Sequence, residues 1–346
     1  MKVLLYSYGE KDNTVFIGEN KSFWVRNRRS EGYLLKRRIK SGAVSVIRAL
    51  LMFGLCFMII QPMLTRFAMS LMEERDLYDS TIVLLPRHVT LENYKIVYDL
   101  TDMPVSMLNT LWISVVVSIC QVVAATLVSY GFARFEFPLK KFWFACVVML
   151  IIIPPQTIQA ALYVTFSNFD IFGIIKAITG STVNLRSSLL PYIMMSLTCM
   201  GLKNGLFIYM LRQYFKSVPE SLEEAAYVDG CGTVHTFLKI MLPDALPTIA
   251  SCFLFGFVWQ WTDIFYTRLF LPSSSISIYS NQMAGMVSRM SRYFSADASK
   301  PIIVPNGRQQ QLIFIAVLIC CIPLIILYCF TQRTFVESLA MTGSKE

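Results

Sequence analysis

Charge is scarce in this chain. Asp, Glu, Lys and Arg make up 15% of its 346 residues against 55% hydrophobic residues, a balance too apolar for an ordinary soluble domain. Histidine is scarcer still: His88 and His235 stand far apart, and the nine cysteines show no C-x-x-C or Cys/His ligand spacing. A metal centre is therefore not expected. The phosphate loop G-x-x-x-x-G-K-[ST] is missing; Lys21-Ser22 ends like one, but Asn20 stands where its glycine is required. H-E-x-x-H and G-x-S-x-G are missing too, and no convincing carboxylate pair or nucleophile–base pair falls on facing apolar runs. The chain is expected to carry no cofactor, to catalyse no reaction and to hydrolyse no ATP itself.

Long apolar runs take the place of these features. About twenty helical residues cross a bilayer core, and six runs qualify, at about 42–63, 106–132, 142–161, 190–215, 245–265 and 309–332. The fold class expected is an all-α polytopic membrane protein with six transmembrane helices. The divisions are a basic N-terminal tail 1–41, a first transmembrane helix 42–63, an extracytoplasmic loop 64–105, a core 106–335 with five helices, and a tail 336–346. A net charge of +9 might suggest nucleic acid, but ten of the 31 Lys and Arg lie before residue 42. That is the signature of a tail held inside the membrane, so nucleic acid is not an expected partner. The 64–106 stretch carries seven acidic and four basic residues, consistent with the outside. By parity both termini and the loops 133–141 and 214–244 face the cytoplasm. Arg268, Arg289, Arg292, Lys300 and Arg308 fall on the outer side and fit this rule poorly. A long polar stretch precedes the first apolar run, so an uncleaved first span is expected. All cysteines but Cys231 lie in apolar runs and read as small buried side chains.

Pro154-Pro155 should bend or end the third span, and Gly201-Leu202-Lys203-Asn204-Gly205 interrupts the fourth. The second span is dotted with Asn109, Thr110, Ser114, Ser118, Gln121, Thr126 and Ser129, small or hydroxylated residues that allow close helix packing.

One polar segment between two apolar ones organises the rest. Val218–Pro243 reads VPESLEEAAYVDGCGTVHTFLKIMLP. Pro219 suits a first helical position with Ser217 as an upstream cap, and Glu220, Glu223 and Glu224 suit the positive end of a helix dipole. That helix runs to Asp229, where Gly230 permits the left-handed C-cap. Thr233 then caps a second short helix that ends before Pro243.

The spacing Glu224-Ala225-Ala226-x3-Gly230-x9-Ile240-x-Leu242-Pro243 resembles the signature loop of the membrane permeases of ABC importers. Three further stretches resemble the maltose-type carbohydrate permeases: P-x3-T-L-E-N-Y at 86–94, IIIPPQTIQAALYVTF in the third span, and GLKNGLFIYMLRQYFKSVPESLEEAAYVDGCG through the fourth. WQWTDIF is similar to that group's W-x-W-N-D-F, with Thr262 in place of Asn. The likeness covers about residues 86–335.

It implies a type I ABC importer permease fold whose cytoplasmic coupling helices, within 217–243, dock on a separate ATPase dimer. Glu223, Glu224, Ala225, Ala226, Asp229, Gly230, Ile240, Leu242 and Pro243 are the coupling candidates. The other implied partners are a second, related permease, an extracytoplasmic solute-binding protein, a carbohydrate and the lipid bilayer, in a bacterial-type plasma membrane. The same fold could import a peptide or a polyol phosphate, and a membrane receptor or scaffold is the reading from another class, though it gives no reason for the loop.

A charge near the centre of a membrane helix costs about 2.5–3.5 kcal/mol on insertion scales, so it faces protein or water. Lys203 and Asp263 are thus solute-pathway candidates, with Asn204, Trp259, Gln260 and Trp261 beside them. Trp rings next to a carboxylate suit a sugar, whose ring face stacks while its hydroxyls find acceptors. Lys203 could instead have a structural partner, Asp263 an interfacial place, and the Trp residues a place in the interfacial aromatic belt. The lack of an inward charge cluster weighs against highly charged cargo.

Overall fold

The computed structural model describes residues 33–79, 81–82, 85–171, 173–271, 276–295 and 302–343. The N-terminal tail before Tyr33, with Lys21-Ser22, lies outside these residues, as do Lys300 and the last three residues. Helix is the regular structure throughout, and the only exceptions among the described residues are isolated antiparallel bridges at Met72–Val89 and Phe169–Val183. The chain divides into two units, Met1–Thr65 and Arg66–Glu346.

In the first unit, residues 33–65 supply most of α1 (Tyr33–Ser70), which begins before and ends beyond the expected 42–63. Its side chains from Ile39 to Leu64 are exposed, and almost all are apolar from Val44 onward. A helix hydrophobic all round, with no polar face, has the composition of a membrane span rather than of a surface helix.

The second unit is built around α3 (Met103–Arg134), preceded by the short α2 (Glu92–Thr101). The small and hydroxylated residues that dot the sequence of α3 form its buried face: Ser106, Thr110, Ser114, Ser118, Gln121, Thr126 and Ser129 are all inside. Several turn their hydroxyls back on the helix, Thr110 to the Ser106 carbonyl and Thr126 to that of Val122, which removes the cost of burying them. Ser129 also donates across to the Ile208 carbonyl at 3.0 Å. Packed on this face are α6 (Leu190–Leu197), α7 (Asn204–Ser217) and α10 (Leu246–Trp261). α3 reaches into three apolar clusters, through Val115, through Ile113 and Val117, and through Val122, Ala125 and Tyr130.

Three helices are long and apolar enough to cross a bilayer unbroken: Ile39–Ser70 of α1, α3, and Asn306–Gln332 of α12 (Asn306–Gly343). The other expected spans are broken, each for a visible reason. α4 (Lys140–Ile152) stops where Pro154 and Pro155 cannot donate to the ladder, and a 3-10 turn at Pro155–Ile158 leads into α5 (Gln159–Ser167), bent by 102°. α6 and α7 are separated by residues 198–203, where Cys199 (φ 59°) and Lys203 (φ 62°) are both left-handed. α10 follows α9 (Thr233–Asp244) at a 73° bend. Sixteen residues of α10 rise only about 24 Å, short of a bilayer core of about 30 Å.

Two smaller expectations need correction. The cysteines are not uniformly buried: Cys252 and Cys320 are, but Cys56 and Cys329 are exposed on apolar helices. Arg308, a poor fit as an outer-loop charge, is 6% exposed. It donates to Asn93 Oδ1 and Gln311 Oε1, both at 2.6 Å, and lies 3.7 Å from Glu74. Asn93 and Gln311 in turn donate to the Met72 carbonyl, so one polar network ties residues 69–74 to α2 and α12.

Candidate functional site

The segment between α7 and α10 is built as two short helices on a fixed base. α7 ends at Ser217, and an extended Val218 followed by Pro219 turns the chain out. The first short helix, α8 (Ser221–Val228), begins two residues later than Pro219, with Glu220 at its cap position. The Ser217 hydroxyl donates back to the Tyr214 carbonyl of α7. Glu223 and Glu224 occupy the first turn, where the helix dipole favours negative charge.

α8 ends in a Schellman motif: Gly230 N–H donates to the Tyr227 carbonyl at 3.1 Å, and Cys231 N–H to that of Ala226 at 2.9 Å. The motif needs a left-handed residue, and Gly230 supplies it at φ 83°. The Cβ that any other residue would add meets nothing within 4 Å, so glycine is required here by the backbone alone.

Gly232, not Thr233, takes the cap position of α9, and the helix does not end before Pro243. A π-helical turn at Phe237–Met241 comes just before Pro243, and the helix continues through it to Asp244. Widening the turn accommodates a ring that would otherwise clash with the carbonyl four residues back.

Glu223 and Ala226 face inward, whereas Glu224, Ala225, Asp229, Gly230 and Pro243 are exposed and Ile240 and Leu242 half-buried. Glu223 Oε1 accepts from Arg134 Nε at 2.9 Å, with both side chains below a tenth exposed. Arg134 also donates to the Val218 carbonyl at 2.8 Å, so the last residue of α3 holds both the entry and the first turn of α8. A second tie joins the far end, where the Tyr214 hydroxyl donates to the Asp244 carbonyl at 2.7 Å. Tyr130, Phe215 and Phe237 pack ring on ring beneath, with centroids 5.5 and 4.6 Å from Tyr130. Leu222, Val228, Val234 and Leu238 of the two short helices are all exposed, with Val228 at 87%.

The family model described as "Binding-protein-dependent transport system inner membrane component" matches residues 121–340. The chain belongs to this family. A probable ABC transporter permease of Pyrococcus horikoshii is 31% identical over 192 residues, 55% of this chain and 63% of its own length. An osmoprotective-compound uptake permease of Synechocystis is 28% identical over 70% of this chain and 80% of its own. The arabinooligosaccharide transport system permease of Halalkalibacterium halodurans is 22% identical over 84% and 93%. Among solved structures, a bacterial ABC transporter for import of the acidic polysaccharide alginate superposes with a TM-score of 0.62 at 16% identity, covering 86% of this chain and 98% of that one.

In this inner membrane component the solute-pathway candidates divide. Trp261 is 1% exposed, and its indole N–H donates to the Cys320 carbonyl of α12 at 3.2 Å. Asp263 is buried, accepting from the Tyr192 hydroxyl at 3.3 Å and from the Tyr266 and Thr267 N–H groups at the start of α11 (Phe265–Phe270). Both are packing and capping residues in this conformation. Gln260 is buried and Trp259 half-buried, stacked on Phe207 at 5.8 Å. Lys203 and Asn204 lie instead on a cleft of about 620 Å3 where the breaks of α4–α5 and α6–α7 meet. Arg134 escapes the sequence reading as a site residue. Arg134 carries a signal, as a lone cation closing a long uncharged helix.

Proposed function

We propose that this chain is the permease subunit of an ATP-driven importer that carries a sugar or oligosaccharide delivered by an extracytoplasmic binding protein. The observation that carries the reading is the pair of short helices α8 and α9, tied to the core by Arg134 and Tyr214, that expose Leu222, Val228, Val234 and Leu238. Apolar side chains left exposed on a tied-down loop cost free energy in water and suit a groove on another protein. That other protein is an ATPase dimer that hydrolyses the ATP, a reading in keeping with the lack of a phosphate loop in this sequence. The cargo class follows the W-x-W-x-D likeness and relatives named for arabinooligosaccharides, alpha-glucosides and trehalose.

The full assembly is one chain of this kind, a second related permease, two ATPase subunits and the binding protein. In this reading the chain makes six membrane passages, with both termini and the 217–243 coupling helices in the cytoplasm. Closure of the ATPase pushes on α8 and α9, with Glu224, Ala225, Asp229, Gly230, Ile240, Leu242 and Pro243 at or beside the contact. Arg134, Glu223 and Ala226 transmit the push to α3, and the 73° joint before α10 passes it to the core.

Gly230→Val tests this directly. A β-branched residue at φ 83° is strained by about 1–3 kcal/mol, and no neighbour is struck. The variant should reach the membrane in normal amount while sugar uptake by cells carrying it falls to background. Normal uptake would remove the coupling role of the loop.

A further inference from the structure

We infer that the cleft at the two helix breaks binds a carboxylate, so that the cargo includes sugars bearing a uronic acid group, with Lys203 as the cationic partner. The inference rests on the importer reading and adds to it the chemistry of the cargo.

Four observations converge on this cleft. First, it is formed where two broken spans meet. Residues 150–156 of the α4–α5 break line one side and residues 199–205 of the α6–α7 break the other. Irregular backbone at membrane depth persists only where protein buries it or water lines it, and Lys203 is exposed, so this is a wet site. Second, Lys203 belongs to a run of apolar sequence, where a charge facing lipid would be expensive. Among the described residues no carboxylate pairs with its ammonium, although seven ion pairs occur elsewhere.

Third, Lys203 occupies the cap position of the fourteen-residue α7 in a left-handed conformation. The lysine thus stands at the positive end of a helix whose first turn lines the same cleft. Fourth, Asn204, 1% exposed, lines the cleft with its Oδ1 unpartnered while its Nδ2 donates to the Ser196 carbonyl at 3.2 Å. A buried acceptor without a donor is costly. A uronate residue offers a carboxylate for Lys203 and ring hydroxyls for the polar part of the lining, where Gln156 also stands. The scarcity of inward charge in the sequence weighs against a highly charged cargo. The fold answers it by joining one lysine to a helix terminus, a pairing that spacing does not reveal.

The test uses the intact importer in its own membrane, with the native copy of this chain replaced by variants. Uptake is measured for matched labelled pairs of gluco-, galacto- and manno-oligosaccharides with and without a terminal uronate. In the wild type at least one uronate sugar enters. Lys203→Gln should lower that uptake about tenfold or more, the worth of a charge-assisted hydrogen bond. Lys203→Arg, which keeps the charge, should restore most of it, a rescue not expected if the lysine only filled space. Uronate uptake at the wild-type rate by Lys203→Gln, or wild-type entry of neutral sugars only, overturns the inference and leaves the importer reading standing. Equal losses in Lys203→Gln and Lys203→Arg also overturn it. If no sugar of either kind enters the wild type, the importer reading itself fails.

Discussion

At the scale of single residues, the account turns on which groups are pinned and which are free. Arg134 and Glu223 form a nearly buried pair 2.9 Å apart, so removing one partner strands the other. Arg134→Ala is expected to cost about 3–5 kcal/mol locally, read as faster proteolysis and amide exchange across 218–231, while Arg134→Lys should recover only part because it lacks the fork that also reaches Val218. Asp76 gives a pH prediction. Its buried carboxylate accepts from the His88 ring and from the backbone N–H groups of His88 and Arg87, which together hold its pKa below the ordinary 3.8. A depressed folded-state pKa stabilises the structure above the ordinary value and loses that contribution as pH falls through the folded one. Exchange in residues 85–90 should therefore stay slow near neutrality and rise on the acid side of 3.8, a transition that Asp76→Asn removes.

Sequence makes some of these residues legible and hides others. Gly230 was readable because the helix-stop chemistry is local, and the Schellman bonds confirm it. Glu223 and Glu224 were indistinguishable in sequence, since both suit the first turn. Only the position of Arg134, eighty-nine residues away, makes Glu223 an anchor and leaves Glu224 outward. For Asp263 and Trp261 the sequence left a solute-facing and an interfacial place open, because acid and aromatic side chains look alike in either; the structure shows both buried, one capping a helix and one bonded to Cys320.

At the scale of elements, breaks are the informative features. Pro154-Pro155 was a legible stop, but the 102° turn after it depends on what α5 packs against. The α9 helix ran on through Pro243, where a π turn, invisible in composition, absorbed the ring. Glycines set the closeness of packing at the break of the fourth span. A Cβ on Gly205 would lie 2.9 Å from the Val147 carbonyl oxygen, backbone that cannot rotate away. Gly205→Ala should push α7 from α4 and cost about 1–3 kcal/mol, measured as a lower midpoint of thermal unfolding in detergent. Gly131→Ala, inside α3 with nothing within 4 Å, should not lower that midpoint.

At the scale of the whole molecule, one long helix does most of the integration. α3 carries the packing face in its middle and Arg134 at its end, so a push on α8 is delivered to the element that touches every apolar cluster of the second unit. The cleft with Lys203 sits at the breaks of helices packed against α3, and the coupling loop at its terminus. The proposed coupling needs these two regions to move together, and α3 is the helix that adjoins both.

The claim on which the rest depends is that the exposed apolar side chains of the loop seat on an ATPase. A photo-crosslinking residue placed at position 228, where Val228 is 87% exposed, would be activated in native membranes and its adduct identified by mass spectrometry. The account predicts a single dominant adduct with a protein bearing a G-x-x-x-x-G-K-[ST] loop, lost when Gly230→Val is added. No adduct, or adducts only with proteins lacking that loop, would contradict it.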